Sequence, residues 1–262
     1  MGESVADLAR WLDAALLSPE PVPEILGRAP NLTAREAHLI QFEIMNARVQ
    51  RGDRIVGFKA ALTSKAMQRE TGIPEPLMGT LLGSRVFDGA EPVSLSNGGF
   101  LRPTLEPEVA VLLKKDLSGP GVQVFDALAA IEGYFPAVEL GDYRYLEGTR
   151  VLQDSVACNT YNGGTVIGGP MSSPAGLDLR TEGMTMSLNG EPCASGTGVE
   201  VLGDPLNSVV FLANKLAEFD LSLKAGMVLL TGSITRSISL SAGDHIRVEF
   251  TRLGQLDVRI SA

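Results

Sequence analysis

Two glutamates, Glu106 and Glu108, lie two residues apart in a stretch that is otherwise apolar. The stretch 105–113 reads LEPEVAVLL and is bounded by Pro103 and by a charged run that begins at Lys114. This pattern predicts a β-strand. Because side chains at positions i and i+2 point to the same face of a strand, the two carboxylates should project together. Such a pair is costly to bury in an apolar segment unless a cation neutralises it.

A third acid, Glu139, lies in a second apolar run, FPAVEL at 135–140, where it is the only acidic residue. Three converging carboxylates form a set of hard oxygen ligands, which suits Mg²⁺, or Mn²⁺ as the alternative, better than zinc. A plainer structure fits the same spacing, with Glu106 and Glu108 on the solvent side of a half-exposed strand. The residues by themselves leave both interpretations open.

Lys59 is the candidate proton carrier, because it is the only charged residue in the apolar stretch IVGFKAAL at 55–62. Desolvation in such a strand lowers the pKa of an ammonium, whereas neighbouring carboxylates raise it. A lysine in this position can act as a general acid or base. The alternative is a structural salt bridge between Lys59 and one of the glutamates, and both interpretations are open at this point.

The elements that must position these side chains fall into two parts. Apolar residues at helical spacing occupy the first fifty residues, and Thr33 with Glu36 forms the pattern of a capping box. Downstream, short apolar strands alternate with glycine turns, and Asn189-Gly190 is typical of a tight hairpin. We therefore predict an α+β protein, with a small helical segment at 1–52 and a β-rich, metal-binding catalytic domain at 53–262.

Composition argues against several classes of partner. The 262 residues carry a net charge of −9 without a visible basic patch, so neither nucleic acid nor an anionic membrane is an expected partner. No apolar run reaches the roughly 18 residues of a membrane span, and the N-terminus lacks a signal-peptide pattern. The two cysteines, Cys158 and Cys193, have no metal or redox spacing. We expect a cytoplasmic protein.

Several short segments follow one another in a fixed order along nearly the whole chain. They are GFKAALTSKAMQ (57–68), EPE (106–108), PAVE (136–139), Asn159, GGP (168–170), LGDPLN (202–207) and TGSITR (231–236). Their order and content resemble the fumarylacetoacetate hydrolase superfamily. Within it, they are similar to the branch of 2-keto-4-pentenoate hydratases, 2-oxohept-3-ene-1,7-dioate hydratases and 4-oxalocrotonate decarboxylases. No single segment is specific, but the ordered set is.

This resemblance implies a mixed β-roll or barrel-like core and a homo-oligomeric assembly. It also implies a small-molecule substrate, a 2-oxo or 2-hydroxy acid whose C1 carboxylate and C2 oxygen chelate the metal. The residues that it assigns are Lys59 for catalysis, Glu106, Glu108 and Glu139 for Mg²⁺ or Mn²⁺, and Ser64, Asn159 and Arg236 for the substrate. Arg236 could bind a distal substrate carboxylate, or it could be a surface arginine.

The chain also departs from the hydratase pattern. Many hydratases of the branch have an Asp, a proposed partner of the lysine, where this chain has Leu77, and decarboxylases often have an aliphatic residue there. The expected Asp-Asn pair is Cys158-Asn159, and the expected His-Pro is Asp204-Pro205. Our leading prediction is a hydratase lyase that adds water to a 2-hydroxy-2,4-dienoate or 2-oxo-enoate from aromatic meta-cleavage catabolism. The alternatives are a 2-oxo-3-enedioate decarboxylase, a C–C hydrolase, which needs a histidine, and a metal-binding relative with lost or altered activity.

Overall fold

Helices and strands alternate along the chain in the computed structural model, which describes residues 2–145 and 151–262. The α-helices are α1 (Val5–Leu17), α2 (Ala34–Gln50), α3 (Lys65–Thr71), α4 (Leu95–Gly98), α5 (Val124–Ala130), α6 (Leu152–Ala157) and α7 (Leu206–Ala217). The strands are β1 (Ile55–Ala61), β2 (Leu77–Leu82), β3 (Val86–Phe87), β4 (Val93–Ser94), β5 (Pro103–Leu113), β6 (Ile131–Asp142), β7 (Asn162–Ile167), β8 (Gly183–Leu188), β9 (Glu191–Thr197), β10 (Val228–Leu230), β11 (Ile238–Ser239), β12 (His245–Phe250) and β13 (Gly254–Ser261).

The strands form two sheets in the described residues. The larger sheet has the order β2-β1-β10-β5-β6-β7-β3, with β11 also paired to β5, and the smaller has the order β4-β13-β12-β8-β9. Pairing in the larger sheet is mixed, because β1 runs parallel to β10 whereas both β10 and β6 run antiparallel to β5. The strand β10 therefore separates β1 from β5, the strands of the predicted lysine and of two predicted glutamates.

The larger sheet is strongly curled, and one contact across it shows the curl. Lys59 on β1 and Glu139 on β6 are three strand positions apart. Neighbouring strands lie about 4.8 Å apart, so a flat sheet would separate the two backbones by about 14 Å, more than the two side chains can bridge. The Lys59 Nζ nevertheless lies 2.7 Å from Glu139 Oε1. The two side chains thus meet across a concave face, as the predicted barrel-like core requires.

The N-terminal helices support one wall of this sheet. Both α1 and α2 begin with a capping box, and the one formed by Thr33 and Glu36 was predicted from the sequence. Buried side chains of α1 and α2, such as Leu12 and Ile44, share a hydrophobic cluster with Leu77 of β2. The predicted boundary at 52/53 falls between α2 and β1, and the division into two domains stays a prediction. Within 2–145 and 151–262, no helix has the length and apolar character to cross a membrane.

Candidate metal and proton-transfer site

The three glutamates converge because two neighbouring strands carry them. In the pairing of β5 with β6, Glu106 lies directly opposite Glu139, and Glu108 shares the face of Glu106. One carboxylate oxygen from each glutamate lies within 4.8 Å of the other two. Glu108 and Glu139 are 0% and 3% exposed. The alternative from the sequence, a half-exposed strand with Glu108 on its solvent side, is therefore wrong for Glu108. The convergence predicted from the sequence is present in the fold.

Glu108 is in an unfavourable position without a cation. Burial first, and then the charges of Glu139 and Glu106, raise the pKa of Glu108 well above its ordinary value. Its Oε2 accepts a hydrogen bond from the Gly232 N–H at 2.6 Å, whereas its Oε1 has no hydrogen-bond partner among the described residues. Three carboxylates against the one ammonium of Lys59 leave two negative charges in excess. A divalent cation with oxygen ligands matches this excess and provides a partner for Oε1.

Lys59 donates hydrogen bonds to two different groups at the site. Its Nζ lies 2.7 Å and 3.0 Å from the two oxygens of Glu139 and 2.9 Å from the carbonyl oxygen of Thr160. Burial is the largest single influence on the pKa of Lys59 and lowers it, but the charges of the three glutamates and the hydrogen bond to Glu139 together outweigh burial, and the pKa is raised. In this arrangement Lys59 is an ammonium. The salt bridge that the sequence left open is therefore present, and the role of Lys59 as a proton carrier stays a prediction.

Two groups that hold the glutamates were not predicted. Asn162 Nδ2 donates a hydrogen bond to Glu139 Oε1 at 3.0 Å, and the Gly232 N–H binds Glu108 as described above. Gly232 has a φ of 109°, and a Cβ on it would lie 2.3 Å from Thr63 Oγ1. Only glycine therefore lets this loop approach Glu108 closely. The glycine turn at 231–233 was the available sequence signal, and Asn162 gave none beyond the glycines that follow it.

A cavity of about 390 Å³ adjoins the site, and Lys59 and Glu106 form part of its lining. The apolar part of the lining includes Leu62, Ala66, Met67, Ile73 and Leu77. The polar part includes Ser64, Glu70, Ser155, Thr160, Tyr161 and Arg236. Leu77 is only 3% exposed. It presents an aliphatic side chain to the cavity at the position where the family resemblance expects an Asp in hydratases.

The three predicted substrate contacts have different surroundings. Ser64 lines the cavity and caps α3, with its Oγ accepting a hydrogen bond from the Met67 N–H. Arg236 also lines the cavity, but its side chain is 79% exposed and lies 3.3 Å from Glu70 in an ion pair. Asn159 is buried and is absent from the cavity lining that the described residues form. The substrate roles of these residues stay predictions.

Of the described residues, the two histidines and Cys158 are not part of the cavity lining. His38 is buried in α2 with its ring 5.2 Å from that of Phe219, and His245 pairs with Asp257 in the smaller sheet. These are the only two histidines in the chain. The C–C hydrolase alternative therefore has no candidate histidine in the cavity. Burial raises the pKa of the Cys158 thiol to about 12, which keeps it protonated and makes it a poor nucleophile.

Together, the curled mixed sheet, the buried carboxylate cluster and the adjoining lysine define a domain with a candidate cation site. Residues 55–261 match the family described as fumarylacetoacetate (FAA) hydrolase C-terminal. The protein belongs to this family. The family and the fold predicted from the sequence are confirmed.

Particular relatives match over nearly their full length. The 2-hydroxyhexa-2,4-dienoate hydratase of Comamonas testosteroni is 36% identical over 247 residues, which cover 94% of each chain. The structure of 4-oxalocrotonate decarboxylase from Pseudomonas putida G7, complexed with magnesium and adipate, is 35% identical with a TM-score of 0.93, covering 98% of this chain and 97% of that one. A second structure of that decarboxylase, complexed with calcium and acetate, has a TM-score of 0.92 at 35% identity and covers 98% of this chain and 96% of that one. These relatives are lyases, which confirms the predicted enzyme class.

Proposed function

We propose that the protein is a metal-dependent lyase that adds water to a 2-hydroxy-2,4-dienoate or a 2-oxo-enoate. One observation carries the proposal: Lys59 Nζ lies against Glu139, within a cluster of three carboxylates that borders a partly apolar cavity. A cation site and a proton carrier side by side are what this chemistry needs. The hydratase from C. testosteroni supports the same reaction class.

Glu106, Glu108 and Glu139 are the residues that would hold the cation, with Mg²⁺ preferred and Mn²⁺ as the alternative. When bound, such a cation supplies a Lewis acid for negative charge that develops on the substrate C2 oxygen. The excess negative charge of the site and the unpartnered Glu108 Oε1 support this assignment. The magnesium in the structure of the P. putida decarboxylase supports it as well.

Lys59 holds a proton at Nζ beside the cavity and is the group that we assign to proton transfer with a substrate carbon. Glu139 and the Thr160 carbonyl accept two of its hydrogen bonds, and these fix the direction of the remaining N–H bond. Lys59 and Glu108 are almost fully buried, so bulk water has little access to them, which strengthens their electrostatic effect on the substrate. Ser64 is our candidate for a polar substrate contact because it lies in the polar lining.

Decarboxylation of a 2-oxo-3-enedioate is the second candidate function, and Leu77 is the observation that favours it. An aliphatic side chain at this point of the lining offers no carboxylate to activate water. The relative complexed with magnesium and adipate, a dicarboxylate, is itself a decarboxylase. In this case Arg236 would bind the distal substrate carboxylate at the solvent side of the cavity.

The experiment that tests the proposal offers both substrates to the Mg²⁺-loaded protein. Formation of a 4-hydroxy-2-oxo acid from 2-hydroxypenta-2,4-dienoate is the expected result, and it should disappear when the metal is chelated. Release of CO₂ from 2-oxohex-3-enedioate, without hydration of the dienoate, would assign the second function instead. A metal-loaded protein that converts neither substrate would contradict both functions. The remaining alternative would then be a metal-binding relative with lost or altered activity. We further propose a homo-oligomer on the family resemblance, which light scattering after size-exclusion chromatography tests.

A further inference from the structure

Three consecutive residues beside Lys59 adopt left-handed backbone conformations. Asn159, Thr160 and Tyr161 have φ angles of 55°, 49° and 62°. None of them is glycine, and residues such as Thr160 and Tyr161 keep this strained conformation only where the surrounding structure enforces it. Backbone strain of this kind clusters at functional sites. Contacts with other parts of the fold must therefore hold these three residues, the left-handed run, in place.

The Asn159 side chain ties this left-handed run to strand β2. Its Oδ1 accepts a hydrogen bond from the Thr80 N–H at 2.6 Å, and its Nδ2 donates to the Thr80 carbonyl at 2.9 Å. One side-chain amide thus binds both main-chain groups of one strand residue. Asn159 is 7% exposed, so its removal would leave buried polar groups of Thr80 without partners.

The run brings one backbone oxygen to the lysine. The Thr160 carbonyl accepts a hydrogen bond from Lys59 Nζ at 2.9 Å. Gly79, which lies opposite Lys59 in the pairing of β1 with β2, provides the space for this approach. A Cβ on Gly79 would lie 2.5 Å from Thr160 Oγ1 and 3.0 Å from Lys59 Cε. Strand β2 therefore contributes both the attachment point of the run and the gap that it fills.

We propose that Asn159 is a positioning residue that fixes the proton-carrying end of Lys59. By holding the left-handed run on Thr80, it places the Thr160 carbonyl so that the ammonium is confined between this oxygen and Glu139. The inference rests on the proposed function, because the position of Lys59 affects the rate only if Lys59 transfers a proton in the reaction. A purely structural role for Asn159 would stabilise the fold without directing the lysine.

Two substitutions and a matched control separate these roles. Asn159→Gly removes the amide but leaves the left-handed φ accessible, whereas Asn159→Leu removes the amide and also disfavours that φ. The control is Asn189→Leu, because Asn189 has a φ of 54° and its amide likewise binds across to neighbouring residues, Asp244 and His245. Asn189 follows β8 in the smaller sheet, so its loss perturbs a similar turn away from the lysine.

The expected result is a loss of kcat with little change elsewhere. Misplacement of a reacting group by about 1 Å can lower a rate about 100-fold, and we expect a loss of this order for Asn159→Leu and a smaller one for Asn159→Gly. The KM for 2-hydroxypenta-2,4-dienoate and the Mg²⁺ affinity should change less than about threefold. Asn189→Leu should keep the kcat of the parent protein. If Asn159→Leu fails to fold, Asn159→Gly carries the test.

A second measurement reports on the lysine without turnover. Limited acetic anhydride is added to the metal-free proteins, and acetylation of Lys59 is quantified by mass spectrometry against the exposed Lys224. Lys59 is 3% exposed in the parent structure, so release of its ammonium in the Asn159 variants should accelerate its acetylation severalfold. This readout remains decisive for the position of Lys59 even if the parent protein converts neither substrate, an outcome that would contradict the proposed function alone.

Three outcomes would overturn the positioning role. The first is an unchanged rate of Lys59 acetylation in both folded Asn159 variants. The second is a kcat loss that Asn189→Leu reproduces, because the loss would then reflect general destabilisation. The third is a loss of Mg²⁺ affinity that parallels the loss of kcat, because the run would then support the carboxylates and not the lysine.

Discussion

Replacing Glu108 by glutamine tests the cation site through two effects of opposite sign. The substitution keeps the shape of the side chain and removes one of three negative charges. Glu108 is fully buried, and its Oε1 has no hydrogen-bond partner within the described part of the chain. Without a bound cation, the Glu108 carboxylate is therefore repelled by Glu106 and Glu139. When a cation is bound, the carboxylate is strongly attracted to that ion.

The magnitude follows from the charge balance of the site. With all three glutamates ionised, as in the metal-bound state, the glutamates and Lys59 carry a net charge of −2, and glutamine at position 108 reduces this to −1. Removing one partner of a buried ion pair costs about 3–5 kcal/mol. At 1.4 kcal/mol per tenfold change, the Mg²⁺ affinity of Glu108→Gln should fall by at least about 100-fold. Without metal, the relieved repulsion should leave the free energy of unfolding of the variant equal to that of the parent or higher.

Calorimetric titration with Mg²⁺ and urea unfolding with and without the ion measure the two effects. Glu70→Gln is the matched control, because Glu70 also lines the cavity but is half exposed and outside the carboxylate cluster. Its Mg²⁺ affinity should stay within about threefold of the parent. The reasoning would be refuted by a Glu108→Gln variant with the Mg²⁺ affinity of the parent. A metal-free variant clearly less stable than the metal-free parent would show that repulsion at this site is not the dominant interaction.

Three further predictions concern the lysine, the arginine and a histidine. Lys59→Met should abolish turnover without weakening Mg²⁺ binding, because it removes the proton carrier and a positive charge. Arg236→Ala should lower kcat/KM for a dicarboxylate about tenfold, the low end for a charged hydrogen bond, since Arg236 is exposed and already pairs with Glu70. Burial lowers the pKa of His38 to about 4 from 6.5. Between pH 6.5 and pH 4, His38 therefore binds a proton in the unfolded chain but not in the native state. As the pH falls through this range, the free energy of unfolding should decrease by up to about 1.4 kcal/mol per pH unit.

Each of these predictions has a contradicting result. If steady-state kinetics show that Lys59→Met keeps most of the parent kcat, Lys59 has a structural role only. Equal losses for Arg236→Ala on the dicarboxylate and on 2-hydroxypenta-2,4-dienoate would indicate a role in folding or at the common end of the substrate. Urea unfolding at pH 7 and pH 5 tests His38, with His38→Phe as the control that lacks the titrating group. The same pH dependence in both proteins would assign the acid sensitivity to other groups.

The parts of the site that follow local rules could be predicted from the sequence. Glu106 and Glu108 share a face because the side-chain period of a strand is two residues. The capping box of Thr33 and Glu36 depends on residues three apart and is present as predicted. Asn189-Gly190 also forms the expected turn, since both residues have positive φ. In each case the determining contacts lie within a few residues along the chain.

The contacts that depend on the curl of the sheet could not be predicted in the same way. The distance between Lys59 and Glu139 depends on three successive strand pairings, and two of them, β1 with β10 and β10 with β5, join segments that are far apart along the chain. The left-handed run opposes the local preferences of Thr160 and Tyr161, and the hydrogen bonds between Asn159 and Thr80 hold it in place. A family resemblance can point to Asn159, but the partner of its amide is visible only in the folded chain.

Because β10 lies between β1 and β5 in the larger sheet, the lysine and the carboxylates of the site come from different parts of the chain. The carboxylates come from β5 and β6, which pair directly and are complete once residue 142 has been synthesised. The lysine lies on β1, which is joined to β5 only through β10, where Lys59 pairs with Leu230. Closing a contact over so long a separation along the chain is entropically costly. A growing chain thus contains both carboxylate strands about ninety residues before the strand that brings the lysine to them exists.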